Sequence, residues 1–274
     1  MKDYSIGFIG GGNMAASIVG GLIADGFPAE NITISEPVDE ARAGLAARFG
    51  VHTDTDNSVV ANQSDVLVLA VKPQIMQRVT LDLTNAIQAG KPLVVSIAAG
   101  IRSRDLERWL GGDIALVRCM PNTPALVQSG ATGLFANAKV SELQKERAES
   151  ILRAVGLTLW LDDESQLDAV TALSGSGPAY IFYVIEAMEQ AGTELGLDAQ
   201  IARRLAVQTA FGAAKLALES ADDPATLRER VTSPGGTTEQ ALGVLREGGL
   251  EALFQKALKA ASDRAGELAD QLGN

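Results

Sequence analysis

Two residue types that carry much of enzyme chemistry are nearly missing from this chain of 274 residues, which has one cysteine, Cys119, and one histidine, His52. A lone cysteine excludes an internal disulfide, and Cys119 with His52 cannot make a metal cluster of recognisable spacing, so no metal site is expected. A Ser-His-Asp triad could be built only around His52, in the polar stretch Val51 to Asn57, where nothing favours it. Positive charge is also scarce. With 23 Lys and Arg against 34 Asp and Glu the formal net charge is -11, which leaves no broad basic surface for nucleic-acid phosphates or anionic lipid headgroups. No run reaches the roughly 18 uninterrupted apolar residues of a membrane span. The start, Met1 to Tyr4, passes into a strand pattern without the apolar core of a signal peptide. The expectation is a cytoplasmic protein with no nucleic-acid or membrane partner, whose difficult chemistry, if it has any, belongs to an organic cofactor.

Hydrophobic residues make up 46% of the sequence, enough at this length for two domains with substantial cores. In the first half, β-rich runs at Tyr4 to Ile9, Ile32 to Ser35, Val66 to Val71, Leu93 to Ile97, Ala115 to Cys119, Gly133 to Ala136 and Thr158 to Leu161 alternate with helical patterns such as Asp39 to Phe49 and Ser141 to Val155. Strands apolar on both sides that alternate with helices predict a mostly parallel sheet covered on both faces. From Asp168 onward the pattern is helical to the end, with Gly177 to Leu195, Ala199 to Glu219, Pro224 to Val231, Thr237 to Glu247 and Leu250 to Leu272 bounded by residues that suit helix ends. The expected architecture is an α/β dinucleotide-binding (Rossmann) domain over 1–163, followed by an all-α domain over 164–274 for substrate binding and dimerisation. Ile181 to Met188 and Leu205 to Leu218 are apolar on nearly all sides, more than a small helical domain hides by itself. A second subunit is the expected cover, giving an intertwined homodimer or a higher oligomer; a central core helix in a monomer is the alternative.

The first predicted strand closes on Gly10-Gly11-Gly12-Asn13-Met14-Ala15, a G-x-G-x-x-A fingerprint in a strand-turn-helix context. Gly10 allows the tight turn, Gly12 lets a pyrophosphate approach the backbone, and Ala15 lets the helix pack on the sheet. Ile18, Val19, Leu22 and Ile23 extend that helix's apolar stripe. Choice between NAD and NADP falls at Ser35-Glu36-Pro37, where the glutamate can accept from a ribose 2′-hydroxyl and the serine can donate to a 2′-phosphate. The two argue in opposite directions. Ala70-Val71-Lys72-Pro73 and Ala98-Ala99-Gly100 fall at the carboxyl ends of sheet strands, where open α/β folds bind ligands; a solvated Lys72 is the plain alternative.

In the helical half, Leu173 to Tyr180 and Ser233 to Thr238 each combine glycines with hydroxyl residues ahead of a helix, leaving backbone N–H groups to hold an anion such as a small carboxylate. Ordinary capping is the alternative for either alone. Together with Gly7 to Ala15, Ala70 to Pro73, Arg118-Cys119-Met120-Pro121-Asn122-Thr123-Pro124, Asp168-Ala169-Val170-Thr171 and Phe211 to Lys215, these segments resemble the pyrroline-5-carboxylate reductase family, in the family's order and over almost the whole chain. The resemblance implies NAD(P)H-dependent reduction of a cyclic imine to L-proline. It implies a cofactor site at Gly10 to Ala15, Ser35, Asn57, Ala70 to Pro73 and Ala98 to Gly100. The substrate carboxylate is implied at Ser233, Gly235, Gly236, Thr237 and Thr238, the Thr238 hydroxyl near the ring nitrogen as the catalytic group, and Glu164 near the active site. Glu36 departs from the family pattern. A β-hydroxyacid dehydrogenase would be expected to carry a lysine base in the helix Gly177 to Leu195, which has none, and a non-catalytic dinucleotide sensor would not need the Ser233 to Thr238 segment.

Overall fold

The computed structural model describes residues 3–273. It divides into two compact units, the first formed by residues up to Ser176 together with those from Ala261 on, the second by Gly177–Ala260. The division expected at 163/164 therefore falls inside the first unit, because the segment after it packs on the sheet and the chain returns there at its end.

In the first unit, β1 (Ile6–Ile9), β2 (Ile32–Ser35), β3 (His52–Asp54), β4 (Val66–Leu69), β5 (Leu93–Ser96), β6 (Leu116–Met120), β7 (Gly130–Ala136) and β8 (Gly156–Trp160) form one sheet in the order β3-β2-β1-β4-β5-β6-β7-β8. β1 to β6 are parallel, β7 pairs antiparallel with β6, and β8 runs parallel to β7. The doubly wound α/β half predicted from the alternation of strands and helices is thus present. β3 is the strand that the sequence pattern missed. It is polar, three residues long and at the sheet's edge, so neither apolar alternation nor a buried run marks it.

Helices cover both faces. On one side α1 (Asn13–Ala24) and α6 (Glu142–Arg153) pack Ala15, Ile18, Leu22, Ile151 and Leu152 over Phe8, Val68 and Val95. On the other, α4 (Pro73–Gly90) and α5 (Ser103–Trp109) pack Met76, Leu83 and Leu106 over Ile9, Leu67 and Val94. Each fully buried large aliphatic or aromatic side chain contributes about 1.5–3 kcal/mol relative to exposure, so the sheet and its two layers of helices carry this unit's stability. Local signals set the ends. Asp39 and Glu40 favour the start of α2 (Asp39–Phe49), Gly50 ends it at φ +70°, and Ser141 with Gln144 forms a reciprocal capping box on α6. The short α3 (Asn57–Asn62) is capped by Asp56, which accepts from Ser58 N.

α7 (Gln166–Val170) runs into a π-helical turn, Thr171–Gly175. The Ser176 N–H closes that turn on the Thr171 carbonyl at 2.8 Å. The segment Leu173 to Tyr180 does lead into a long helix that starts at Gly177, but its Ser176 N–H is taken by the Thr171 carbonyl and is not free for an anion.

The second unit is all-helical: α8 (Gly177–Glu194), α9 (Ala199–Glu219), α10 (Pro224–Arg230), α11 (Thr237–Glu247) and the first half of α12 (Leu250–Leu272). Asp198 and Asp223 cap α9 and α10 through their carboxylates. Gly192 on α8 brings Ala202 of α9 close, a Cβ at Gly192 lying 3.3 Å from the alanine methyl. No residue of α8 is buried, and Phe182, Tyr183, Phe211 and Leu218 are 60% exposed or more. No helix among the described residues is long and apolar enough to cross a membrane.

Candidate functional site

Gly10, Gly11 and Gly12 carry the chain from β1 into α1. Gly10 has φ +100°, and a Cβ on it would stand 2.9 Å from the Ala70 carbonyl oxygen, so both the backbone conformation and the neighbouring loop require glycine. At Gly12 a Cβ would meet nothing within 4 Å. That is the open side of the turn, where a pyrophosphate must come close to the backbone. Gly12 is the N-cap of α1; no side chain caps the helix and no acidic residue occupies its first turn. The positive end of the helix dipole and its leading N–H groups are left for an anion. Ala15, 1% exposed, lets α1 lie against the sheet.

A cleft of about 440 Å³ opens above this turn and is lined by Gly10, Gly11, Gly12, Ser35, Glu36, Asn57, Ala70, Val71 and Lys72, within the size range of small-ligand sites. The sheet order explains the convergence, because β2 and β4 flank β1 and their loops meet over its carboxyl end. Pro37, Thr55, Ile75, Arg78 and Val79 also line the cleft. Pro37 belongs to the segment expected to set the cofactor choice; the other four carry no signal in the sequence reading, although Ile75 and Val79, four apart after Pro73, repeat at helical spacing. Asn13 and Met14 lie on α1 outside the cleft lining, and Pro73 is the first residue of α4. Ala98-Ala99-Gly100 follow β5 one strand further along the same edge; a Cβ at Gly100, φ +71°, would lie 3.3 Å from Leu272 on α12. These features fit a dinucleotide: a glycine turn open where the pyrophosphate passes, an uncapped helix start, and polar groups at the end of β2.

Below the next strand end a polar cluster ties the segments together. Arg118, on β6 and buried, donates to Glu164 Oε1 at 2.5 Å, and the same oxygen accepts from Ser103 N at 2.6 Å. Burial raises the Asp168 carboxyl above the usual carboxylate range, opposed by the nearby Arg118 and Arg102 guanidinium groups. Asn122, after β6, donates to the Ser174 carbonyl and accepts from Ala131 N, both at 2.9 Å, fixing the Met120 to Thr123 segment against the π-helical turn. Cys119 lies in the core, where burial pushes its thiol up, so it packs as a protonated side chain.

In the second unit, Ser233-Pro234-Gly235-Gly236 turns into α11. Gly236 N–H reaches back to the Ser233 carbonyl at 3.0 Å, Gly235 sits at φ +72°, and its N–H donates to Glu239 Oε2 at 2.7 Å. No side chain caps α11. Among the described residues neither Thr237 nor Thr238 has a side-chain hydrogen bond; Thr237 is exposed and Thr238 half-buried. Glu239 neutralises part of the helix start, while the first-turn N–H groups and two hydroxyls stay available.

The chain is 54% identical over 273 residues to the pyrroline-5-carboxylate reductase of Pseudomonas aeruginosa, covering 100% of both chains. It belongs to the pyrroline-5-carboxylate reductase family. The match expected from the glycine turn, the Ser-Pro-Gly-Gly segment and the motifs between them is therefore borne out. Residues 164–268 match the family model described as pyrroline-5-carboxylate reductase dimerisation, and residues 5–100 match NADP oxidoreductase coenzyme F420-dependent. Among solved structures, a pyrroline-5-carboxylate reductase from Coxiella burnetii is 49% identical with a TM-score of 0.94, covering 97% of this chain and 98% of that one. A pyrroline carboxylate reductase from Plasmodium falciparum, solved with NADP bound, is 27% identical with a TM-score of 0.86, covering 98% and 99%. The segment matched by the dimerisation model carries the exposed apolar helices α8 and α9, which ties self-association to that half of this family member.

Proposed function

We propose that this chain reduces 1-pyrroline-5-carboxylate to L-proline, the last step of proline synthesis, with NAD(P)H as reductant. The observation that carries the reading is that the likeness to pyrroline-5-carboxylate reductases runs through both functional segments, the glycine turn under α1 and the start of α11. When bound, NAD(P)H supplies the hydride that reduces the ring C=N carbon. Gly12 and the first turn of α1 hold the pyrophosphate, Ser35, Glu36 and Asn57 face the adenosine, and Ala70 to Pro73 and Ala98 to Gly100 line its path along the sheet edge. The first-turn N–H groups of α11, that of Thr237 among them, are offered to the substrate carboxylate, and Ser233, Gly235 and Gly236 form the turn that leads into it. Thr238 is the catalytic group, donating from its hydroxyl to the ring nitrogen as electron density grows there. Glu164, whose carboxylate is engaged by Arg118 and Ser103, is a positioning residue.

The segment over 164–274 serves substrate binding and dimerisation, and α8 and α9 of one chain are covered by the same helices of a second copy in an intertwined dimer. The enzyme works in the cytoplasm. Product analysis tests the reading. Incubation with the imine and NAD(P)H yields proline in step with the dinucleotide oxidised, whereas dinucleotide oxidation without proline would reject it.

A further inference from the structure

We infer that Glu36 sets the choice of dinucleotide in this chain and selects NADH over NADPH. The inference rests on the cleft being the cofactor site and adds the direction of its specificity.

Glu36 follows directly on β2 and lines the cleft, at the end of the sheet where the adenosine ribose is bound in dinucleotide folds. Its backbone is fixed on both sides: the N–H donates to the Asp54 carbonyl of β3 at 3.0 Å, and its own carbonyl accepts from Arg42 Nη1 at 2.8 Å. Its side chain folds toward the glycine turn, Oε2 accepting from Gly11 N at 3.1 Å and Oε1 from Val38 N at 3.2 Å. These are the backbone donors that an anionic group at the end of β2 would otherwise use. A carboxylate has about four lone-pair sites, so two remain for a ribose 2′-hydroxyl. A phosphate has no proton to donate in its dianionic form and meets a like charge instead.

The groups that could reverse this are already committed. Ser35, 1% exposed, donates its hydroxyl to Asn57 Oδ1 at 2.6 Å, so it has no proton left for a phosphate. Arg42 gives one nitrogen to the Glu36 carbonyl and another to Asp39. The other cations of the cleft, Lys72 and Arg78, belong to the β4 to α4 side, across the glycine turn from the end of β2. The opposing arguments that Ser35 and Glu36 present as sequence are thus decided by which of them has a free hydrogen-bonding site.

Fluorescence titration of the full chain with NADH and with NADPH at one ionic strength tests this without any turnover. NADH is expected to bind at least about tenfold more tightly. Glu36→Gln keeps the shape and an acceptor for Gly11 but removes the charge, and is expected to bring the two affinities within a few-fold of each other. Glu36→Ser is expected to carry the ratio further toward NADPH. Wild-type protein that binds NADPH as tightly as NADH overturns the inference while leaving the cofactor site standing. Binding of neither dinucleotide overturns the site and the inference together. Wild-type selectivity that both folded variants retain, with unchanged thermal midpoints, would assign it to another group and overturn the role of Glu36.

Discussion

Thr238 and Thr237 are adjacent at the start of α11, yet the proposed reaction gives them different work. Thr237 contributes its backbone N–H, which alanine keeps. In the proposed reaction Thr238 contributes a hydroxyl to a nitrogen whose charge changes, so its loss would belong to the transition state. Thr238→Ala is expected to lower kcat by roughly 10- to 1000-fold with little change in NAD(P)H affinity, toward the lower end if water replaces the hydroxyl. Thr237→Ala is expected to be far milder. Steady-state kinetics beside a cofactor titration check both, and equal losses would leave both threonines as parts of the helix end alone. At this scale the sequence was legible where a residue's chemistry is tied to its backbone. Gly10, Gly12 and Ala15 stand where the fingerprint puts them. What the sequence could not tell was which donors are already used. The Ser35–Asn57 and Glu164–Arg118 pairs join residues 22 and 46 positions apart, and only the folded sheet brings them together.

Secondary-structure elements are legible in the sequence where helical periodicity runs between residues that suit helix ends, whether or not the helix is buried in this chain. α2, α9, α11 and α12 begin and end at the residues expected from periodicity and caps. β3 has no legible pattern because it is a short polar edge strand, and the π-helical turn at Thr171–Gly175 just ahead of α8 carries no sequence signal of its own. The far edge of the sheet makes a sharper demand than its sequence suggests. Gly156 opens β8 opposite Gly130 with φ +147°, and a Cβ there would lie 2.1 Å from the Gly130 carbonyl oxygen. Gly112, φ +74°, has open space around it. Gly112→Ala is therefore expected to cost about 1–2 kcal/mol from backbone conformation alone. Gly156→Ala adds a backbone clash that only separation of β7 from β8 can relieve, so its cost is expected to exceed that of Gly112→Ala by at least ~1 kcal/mol. Urea unfolding midpoints compare the two, and equal losses would show that β8 shifts without resistance.

For the whole molecule, the apolar residues of α8 and α9 decide how the chain exists in solution. A helix with no buried residue and aromatic side chains 66% and 73% exposed at Phe182 and Tyr183 is a surface awaiting a partner. The dimerisation match covers it, and symmetry supplies the same face on a second copy. Light scattering is expected to give at least twice the chain mass of 28.6 kDa at low concentration; a stable, active species of 28.6 kDa would show that one chain covers these helices unaided. The proposed reaction is reduction of a cyclic imine held by its carboxylate at the start of α11. The most direct measurement compares kcat/KM for 1-pyrroline-5-carboxylate with that for 1-pyrroline, which has the same ring and no carboxylate, under saturating NADH. Loss of two charge-assisted hydrogen bonds predicts a preference of at least ~100-fold for the carboxylate substrate. Equal kcat/KM values, or no reduction of either imine, would contradict the account.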